Sequence, residues 1–197
     1  MKKALLIHGW TRKESYYNPE YPTPSNSHWF PWLSKQLMLR DIHAVAIEMP
    51  RSYYPEYEIW KNELERFELG EDTILVGHSC GGGFLVRYLS ENNVKVGKVV
   101  LVAPWLGLIE RKPDDGQSEI FDETFFQFEI DKNLAEKTGG LSVMASSDDM
   151  AEVKSSIKII TDSVADVKIT TLENRGHFTN RAGGEMAFPE LLGEILR

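Results

Sequence analysis

Short apolar runs alternate with amphipathic segments along the chain. Two runs, 74–76 (ILV) and 99–102 (VVLV), are continuously apolar, which is typical of parallel strands buried on both faces. The pattern predicts strands at 3–8, 43–48, 73–77, 98–103, 141–146 and 167–172, and helices at 32–40, 57–69, 82–91, 150–163 and 185–196. This alternation predicts an α/β fold with a mostly parallel central sheet of about six strands and helices on both faces.

Two longer segments, 11–28 and 105–136, break this alternation. Residues 10–32 and 105–136 together hold 12 of the 21 aromatic side chains of the chain, whereas disordered segments are poor in aromatic residues. We therefore interpret both segments as folded, aromatic-rich insertions in a single domain spanning 1–197, and we expect them to lie over a pocket. The alternative is that their aromatic side chains only anchor long loops on the core.

The segment 77–83, GHSCGGG, places Ser79 at the centre of a G-x-S-x-G motif. The motif follows a predicted strand and opens a predicted helix, which is the setting of a nucleophile elbow. Such a turn is too tight for side chains at Gly77 and Gly81, and it exposes the serine hydroxyl while directing the backbone N–H of Cys80 at a developing oxyanion. The alternative is a glycine-rich turn with a spectator serine. A phosphate-binding loop is not indicated, because its glycine and lysine spacing is missing.

A serine nucleophile needs a base, usually a histidine held by a carboxylate. His177 follows the last predicted strand, so it should lie at the same carboxyl edge of the sheet as Ser79. The acid should fall between them in the chain. Both Asp148 and Asp149 follow the strand at 141–146; Asp149 is favoured, and either could instead cap the next helix.

The loop after the first strand is the natural source of a second oxyanion donor. Gly9 permits a turn there, and the backbone N–H of Trp10 would then point into the site. Of the remaining histidines near these motifs, His8 is expected to be structural, His78 to point away from Ser79, and His28 to line the pocket.

The composition of the chain argues against several classes of protein and site. The net charge of −8 argues against binding to a nucleic-acid backbone. A single cysteine excludes an intrachain disulfide and a multi-cysteine zinc site, and no H-E-x-x-H motif or other ligand spacing predicts a metal or another cofactor. The apolar run at the N-terminus is too short for a signal peptide, and no run is long enough to span a bilayer, so a cytoplasmic location is expected.

The motifs together resemble a known family. Four motifs are similar to those of α/β-hydrolases: HG after the first strand, GHSCGG at the elbow, SSDD at the end of the fifth strand, and GHF after the last strand. The segments SHWFPWL at 27–33, MPR at 49–51 and EIW at 58–60 resemble the small serine hydrolases grouped with retinoblastoma-binding protein 9 and the bacterial protein YdeN. The resemblance covers nearly the whole chain. It implies a compact α/β-hydrolase fold with a triad on Ser79, Asp149 and His177.

The chain departs from this family at two places. Relatives commonly continue after the acid as D-x-x-V-P, but residues 149–153 read DMAEV, so the choice between Asp148 and Asp149 stays open. The family's namesake carries an L-x-C-x-E element before its third strand. The corresponding residues 67–71 (FELGE) have no cysteine, so binding to a retinoblastoma-type pocket is not expected.

The expected activity is hydrolysis of a small carboxylic ester, in the carboxylesterase class, through an acyl-enzyme on a small-molecule acyl substrate. Three alternatives remain: an amidase or peptidase that uses the same triad, a partner-binding module without catalysis, and a site in which Cys80 is the nucleophile or a redox switch. Residues 105–136 hold nine acids and three bases. If that segment lies at the pocket, it favours a neutral or cationic substrate over a polyanion.

Overall fold

The central sheet contains six parallel strands in the order β2-β1-β3-β4-β5-β6. The computed structural model describes residues 1–107, 122, 124–180 and 186–197. The strands are β1 (Lys3–Ile7), β2 (His43–Ile47), β3 (Thr73–His78), β4 (Lys98–Val102), β5 (Leu141–Ser146) and β6 (Lys168–Leu172). All six predicted strands are confirmed, and their ends differ from the prediction by no more than one residue.

The helices are α1 (Lys13–Tyr17), α2 (Phe30–Met38), α3 (Tyr57–Leu64), α4 (Cys80–Glu91), α5 (Ala151–Ser163) and α6 (Pro189–Leu196). The five predicted helices are present with shifted ends. The predicted start of the last helix, residue 185, lies outside the described residues. α1 and a 3₁₀ turn at Pro24–Asn26 fall in the first predicted insertion, which is therefore folded. Residues 108–121 and 123 of the second insertion also lie outside the described residues.

The direction of the chain across the sheet places helices on both faces. From β1 the chain moves toward the β2 edge of the sheet, whereas from β3 it moves toward the β6 edge to reach β4. Because both crossovers are right-handed, their connecting helices lie on opposite faces of the sheet. α2 and α6 contact each other on one face. On the other face the rings of Trp60 in α3 and Phe84 in α4 lie 5.6 Å apart. Fully buried Phe125 joins this cluster, so this part of the second insertion is anchored on the core.

The reversal of strand order defines one place at the carboxyl edge of the sheet. β1 and β3 pair in register from Lys3 with Thr73 to Ile7 with Gly77, so the loops that follow them are neighbours. Every residue of β3 is buried, and so is every residue of β5. Ligands bind beside such reversals in open α/β sheets, because two adjacent loops diverge there to opposite faces.

Candidate active site

Ser79 occupies the sharp turn between β3 and α4. Its backbone angles, φ 55° and ψ −123°, lie in a region that residues with side chains rarely adopt. Four backbone hydrogen bonds hold it there. The N–H donates to the carbonyl of Val102 (2.9 Å), and the carbonyl accepts from the N–H groups of Gly82 (2.9 Å), Gly83 (3.1 Å) and Trp105 (3.0 Å). Strain of this kind costs about 1–3 kcal/mol and persists only where the surroundings enforce it.

The glycines on either side of Ser79 leave no room for side chains. A Cβ at Gly77 would lie 2.7 Å from the carbonyl oxygen of Gly81, and a Cβ at Gly81 would overlap the carbonyl oxygens of Ile7 and His8. The start of α4 is therefore in backbone contact with the end of β1. Gly82 and Gly83 face Pro104 and the backbone of Trp105 just as closely, and these contacts together explain why a helix begins with glycines, which are poor helix formers.

The structure brings Ser79, His177 and Asp149 together in one chain of hydrogen bonds. The Oγ of Ser79 lies 2.8 Å from Nε2 of His177, and Nδ1 of His177 lies 3.0 Å and 3.2 Å from the two carboxylate oxygens of Asp149. The Asp149 side chain is 1% exposed, and its Oδ1 also accepts from the N–H of Met150 (2.7 Å). With Nδ1–H donating to the carboxylate, Nε2 is free to accept the serine proton.

Asp148 has a different position from Asp149. Its exposed carboxylate accepts from the hydroxyl of Ser146 (2.6 Å) and from the N–H of Gly176 (2.8 Å), and it does not bond to the His177 ring. These two donors hold the pKa of Asp148 below its ordinary value. The hydroxyl oxygen of Ser146 accepts in turn from the N–H of Arg175 (3.0 Å). Asp148 and Ser146 thus fasten the histidine loop, residues 174–178, to the end of β5.

His78 fastens the same loop from the other side. Its buried ring lies 2.9 Å from the carbonyl oxygen of His177 through Nε2. A carbonyl only accepts, so Nε2 carries the proton. Burial holds the pKa of His78 well below its ordinary value, and the charge of His177 acts in the same direction. The neutral imidazole is therefore a fixed donor to the backbone of His177.

His28 supports the chain that follows the histidine loop. Its backbone is left-handed (φ 58°), its Nδ1 accepts from the N–H of Asn180 (3.0 Å), and its carbonyl accepts from the N–H of Met186 (3.0 Å). Burial, and then the charge of His177, lowers the pKa of His28. No sequence pattern indicates this role or that of His78, because their partners lie about a hundred or more residues away in the chain.

The peptide between Gly9 and Trp10 lies directly against the nucleophile. A Cβ at Gly9 would lie 2.9 Å from the Cβ of Ser79 and 3.3 Å from its Oγ. Nδ1–H of buried His8 donates to the carbonyl of Gly9 (2.8 Å), and Nε2 accepts from the N–H of Met49 (2.8 Å). In a trans peptide the carbonyl and the N–H point in opposite directions, so His8 also fixes the direction of the Trp10 N–H.

The two predicted oxyanion donors are both unpaired within the described part of the chain. No described residue accepts from the backbone N–H of Trp10 or from that of Cys80. Cys80 is the first residue of α4, where backbone N–H groups have no partner within the helix. Its side chain is fully buried, and burial raises the pKa of its thiol. These properties disfavour Cys80 as the nucleophile.

Among residues 1–107, 122, 124–180 and 186–197, no group of three or more histidine, cysteine or acidic side chains could hold a metal ion. In the same part of the chain, no helix is long and apolar enough to cross a membrane.

Residues 4–193 match the family model described as serine hydrolase. The chain belongs to the serine hydrolase family. YdeN of Bacillus subtilis (strain 168), which carries the name of a hydrolase, is 28% identical over 186 residues, or 92% of this serine hydrolase and 88% of YdeN. The crystal structure of the B. subtilis ydeN product matches 100% of this chain and 99% of its own with a TM-score of 0.74 at 25% identity. The resemblance and the α/β-hydrolase fold predicted from the sequence are confirmed.

More distant proteins share the fold of this serine hydrolase. A pyrethroid hydrolase from Sphingobium faniae JZ-2 is 14% identical, with a TM-score of 0.60 over 99% of this chain and 95% of its own. Est1E from Butyrivibrio proteoclasticus, with ferulic acid bound, is 13% identical, with a TM-score of 0.66 over 98% of this chain and 86% of its own. At these identities the likeness shows the fold alone.

Proposed function

We propose that this serine hydrolase cleaves small carboxylic esters through an acyl-enzyme, with Ser79 as nucleophile, His177 as base and Asp149 as orienting acid. The observation that carries the proposal is the hydrogen-bonded chain from the Ser79 hydroxyl (2.8 Å to His177) to the buried Asp149 carboxylate (3.0 Å from His177). Nucleophile, base and orienting group within hydrogen-bond reach are the signature of an activated serine.

The mechanism follows from these contacts. Nε2 of His177 takes the proton as the Ser79 Oγ attacks the ester carbonyl, and Asp149 stabilises the imidazolium that forms. The N–H groups of Trp10 and Cys80 stabilise the tetrahedral oxyanion; losing one such donor typically costs about 2.7–4 kcal/mol. His177 then protonates the departing alcohol, leaving an acyl group on Ser79. Water, deprotonated by His177, attacks this acyl group and regenerates the enzyme.

A fluorophosphonate probe tests the nucleophile. We expect it to label the wild type on the peptide that contains Ser79, and to leave Ser79→Ala unlabelled. Ser155→Ala, which removes an exposed serine on α5, and Cys80→Ala should both remain labelled. Loss of labelling in Cys80→Ala alone, with the protein folded, would instead make the thiol the nucleophile. An unlabelled wild type would contradict the proposal and favour a partner-binding module.

The ester preference needs a separate measurement. 4-Nitrophenyl butyrate and butyryl 4-nitroanilide carry the same acyl group and differ in the bond that is cleaved. We expect kcat/KM to be higher for the ester and to vanish in Ser79→Ala. Comparable or faster hydrolysis of the anilide would assign the site to the amidase or peptidase class.

A further inference from the structure

Exposed aromatic side chains lie beside the candidate active site. Trp10 is 36% exposed and Tyr17 is 62% exposed, while Tyr16 and Tyr53 are partly exposed. We call these four residues the aromatic platform. A contiguous apolar patch on the surface of a folded protein commonly marks a binding surface, whereas single exposed apolar side chains carry no such meaning.

The rings of the platform hold one another in place. The centroid of the Tyr16 ring lies 5.1 Å from that of Tyr17 and 4.9 Å from that of Tyr53, and the rings of Tyr17 and Tyr53 are 5.4 Å apart. The Tyr17 hydroxyl donates to the Tyr53 hydroxyl (2.9 Å), and the indole N–H of Trp10 donates to the Tyr53 carbonyl (3.0 Å). A surface fixed in this way loses little conformational entropy when a ligand binds.

The platform joins the site through Trp10. The preceding residue, Gly9, touches Ser79, and the backbone N–H of Trp10 is a proposed oxyanion donor. Tyr53 follows β2, which lies on the far side of β1 from β3. A substrate whose carbonyl lies at Ser79 therefore has the platform next to it, on the β2 side of the nucleophile.

Core packing does not account for the tyrosines on α1. This helix has no buried residue, and Tyr17 leaves most of its ring in water. Burying such a ring under a ligand is favourable, and aromatic pairs contribute about 0.5–1.5 kcal/mol beyond the area that they bury, or about 2- to 12-fold in affinity. A saturated ring of similar size gains the area term only.

We propose that the aromatic platform binds an aromatic ring of the substrate, which makes aryl-bearing esters the preferred class. This inference rests on the proposed ester hydrolysis. The platform includes Trp10, whose backbone N–H would bind the carbonyl oxygen of the ester. The aromatic ring must therefore lie near the scissile carbonyl, and it can belong to either the alcohol part or the acyl part of the substrate.

Two matched ester pairs test the platform. Benzyl acetate is compared with cyclohexylmethyl acetate, and ethyl phenylacetate with ethyl cyclohexylacetate, so that only the aromaticity of one ring changes within a pair. The measured quantity is the ratio of kcat/KM for the aryl ester to that for the cyclohexyl ester. We expect the wild-type ratio to exceed one in at least one pair, and Tyr17→Ala to lower that ratio about 2- to 12-fold.

Two control variants separate the platform from a general effect of tyrosine removal. Tyr17→Phe keeps the ring and should keep the ratio. Tyr21→Ala removes a side chain that is 60% exposed and that contacts no platform ring among the described residues, so it should also keep the ratio. Equal ratios in the wild type and Tyr17→Ala would overturn the proposal, as would a fall of the same size in Tyr21→Ala.

Fluorophosphonate labelling of the same preparations distinguishes the two proposals. A wild type that is labelled on Ser79 but shows no aryl preference overturns the platform and leaves the serine nucleophile intact. A wild type that is not labelled overturns the proposed function, and the platform with it. Melting temperatures confirm that each variant is folded; if Tyr17→Ala fails to fold, Tyr17→Leu provides the same loss of aromaticity with more apolar volume.

Discussion

Asp148 and Asp149 offer a matched pair of substitutions, because the same change to asparagine should have very different effects at adjacent positions. In Asp149→Asn, the carbonyl oxygen of the new amide will stay on the Met150 N–H, which is 2.7 Å from Oδ1. The NH₂ group then takes the place of Oδ2, 3.2 Å from Nδ1 of His177, and donates to that nitrogen. The retained amide oxygen at the Oδ1 position also lies 3.0 Å from Nδ1, so this oxygen and the NH₂ group compete for the same nitrogen. When the NH₂ group donates, the imidazole proton moves to Nε2, which can then no longer accept from Ser79.

The size of the effect follows from this change of tautomer. Asparagine in place of the orienting aspartate of a serine triad lowers kcat by up to about 10⁴-fold, or about 5.4 kcal/mol in the activation free energy, and this upper value applies when the NH₂ group holds Nδ1. In Asp148→Asn, the amide oxygen can still accept from Ser146 and from Gly176, which lie 2.6 Å and 2.8 Å from Oδ1. Only the charge of the acceptor is lost, so we expect kcat to fall by no more than about tenfold.

The assay is kcat for 4-nitrophenyl butyrate, with the rate of fluorophosphonate labelling and the melting temperature measured on the same samples. Both variants should be folded, and Asp149→Asn should also be labelled far more slowly than Asp148→Asn. Equal losses in the two variants would refute the reasoning, and a larger loss in Asp148→Asn would in addition transfer the orienting role to Asp148.

Three further predictions concern the surroundings of the nucleophile. His78→Gln can keep an N–H donor to the His177 carbonyl, whereas His78→Ala cannot, so kcat should fall more in the alanine variant; equal values would mean that the tether is irrelevant to activity. Burial lowers the pKa of His78 in the folded protein below its ordinary value of 6.5. As the pH falls below about 6.5, His78 therefore becomes protonated in unfolded chains but stays neutral in the folded protein. Urea unfolding at pH 7.0 and 5.5 should therefore show a smaller free energy of unfolding at the lower pH, by up to about 1.4 kcal/mol per pH unit from this group, and a weaker dependence in His78→Gln. Gly9→Ala places a methyl group 3.3 Å from the Ser79 Oγ, so labelling should slow in a folded protein, and wild-type rates would contradict the predicted crowding.

The central strands could be predicted from the sequence because a continuous apolar run is typical of a strand that is buried on both faces. β3, with its apolar run ILV, is buried at every position, and β4 is buried along its run VVLV. Helix ends were predicted less well, since the intrinsic helix propensity of a residue and the packing of its neighbours can favour different ends. The prediction began α4 after the first glycines, but the helix starts at Cys80 because those glycines are needed for contact with neighbouring backbone. α1 was missed since it buries no residue and leaves no amphipathic pattern.

The candidate site was predictable to the extent that its residues belong to local motifs. Ser79 lies in a turn motif and His177 follows a strand, so the sequence indicated both without knowledge of contacts. The supporting contacts had no such signal. Asp148 bonds to Gly176, 28 residues away, and His78 bonds to His177, 99 residues away. Residue spacing cannot encode pairs that only the folded sheet brings together.

The reactivity of the buried thiol beside the nucleophile can be used to measure how often the turn at Ser79 opens. Cys80 is the single cysteine of the sequence, and it is fully buried at the start of α4. A chromogenic disulfide reagent can therefore react only in molecules whose nucleophile turn has opened. The rate of that reaction, divided by the rate for an unfolded chain, gives the fraction of open molecules. Comparing this fraction with the global unfolding equilibrium tells whether the turn opens by itself or only when the sheet unfolds, and no engineered residue is needed.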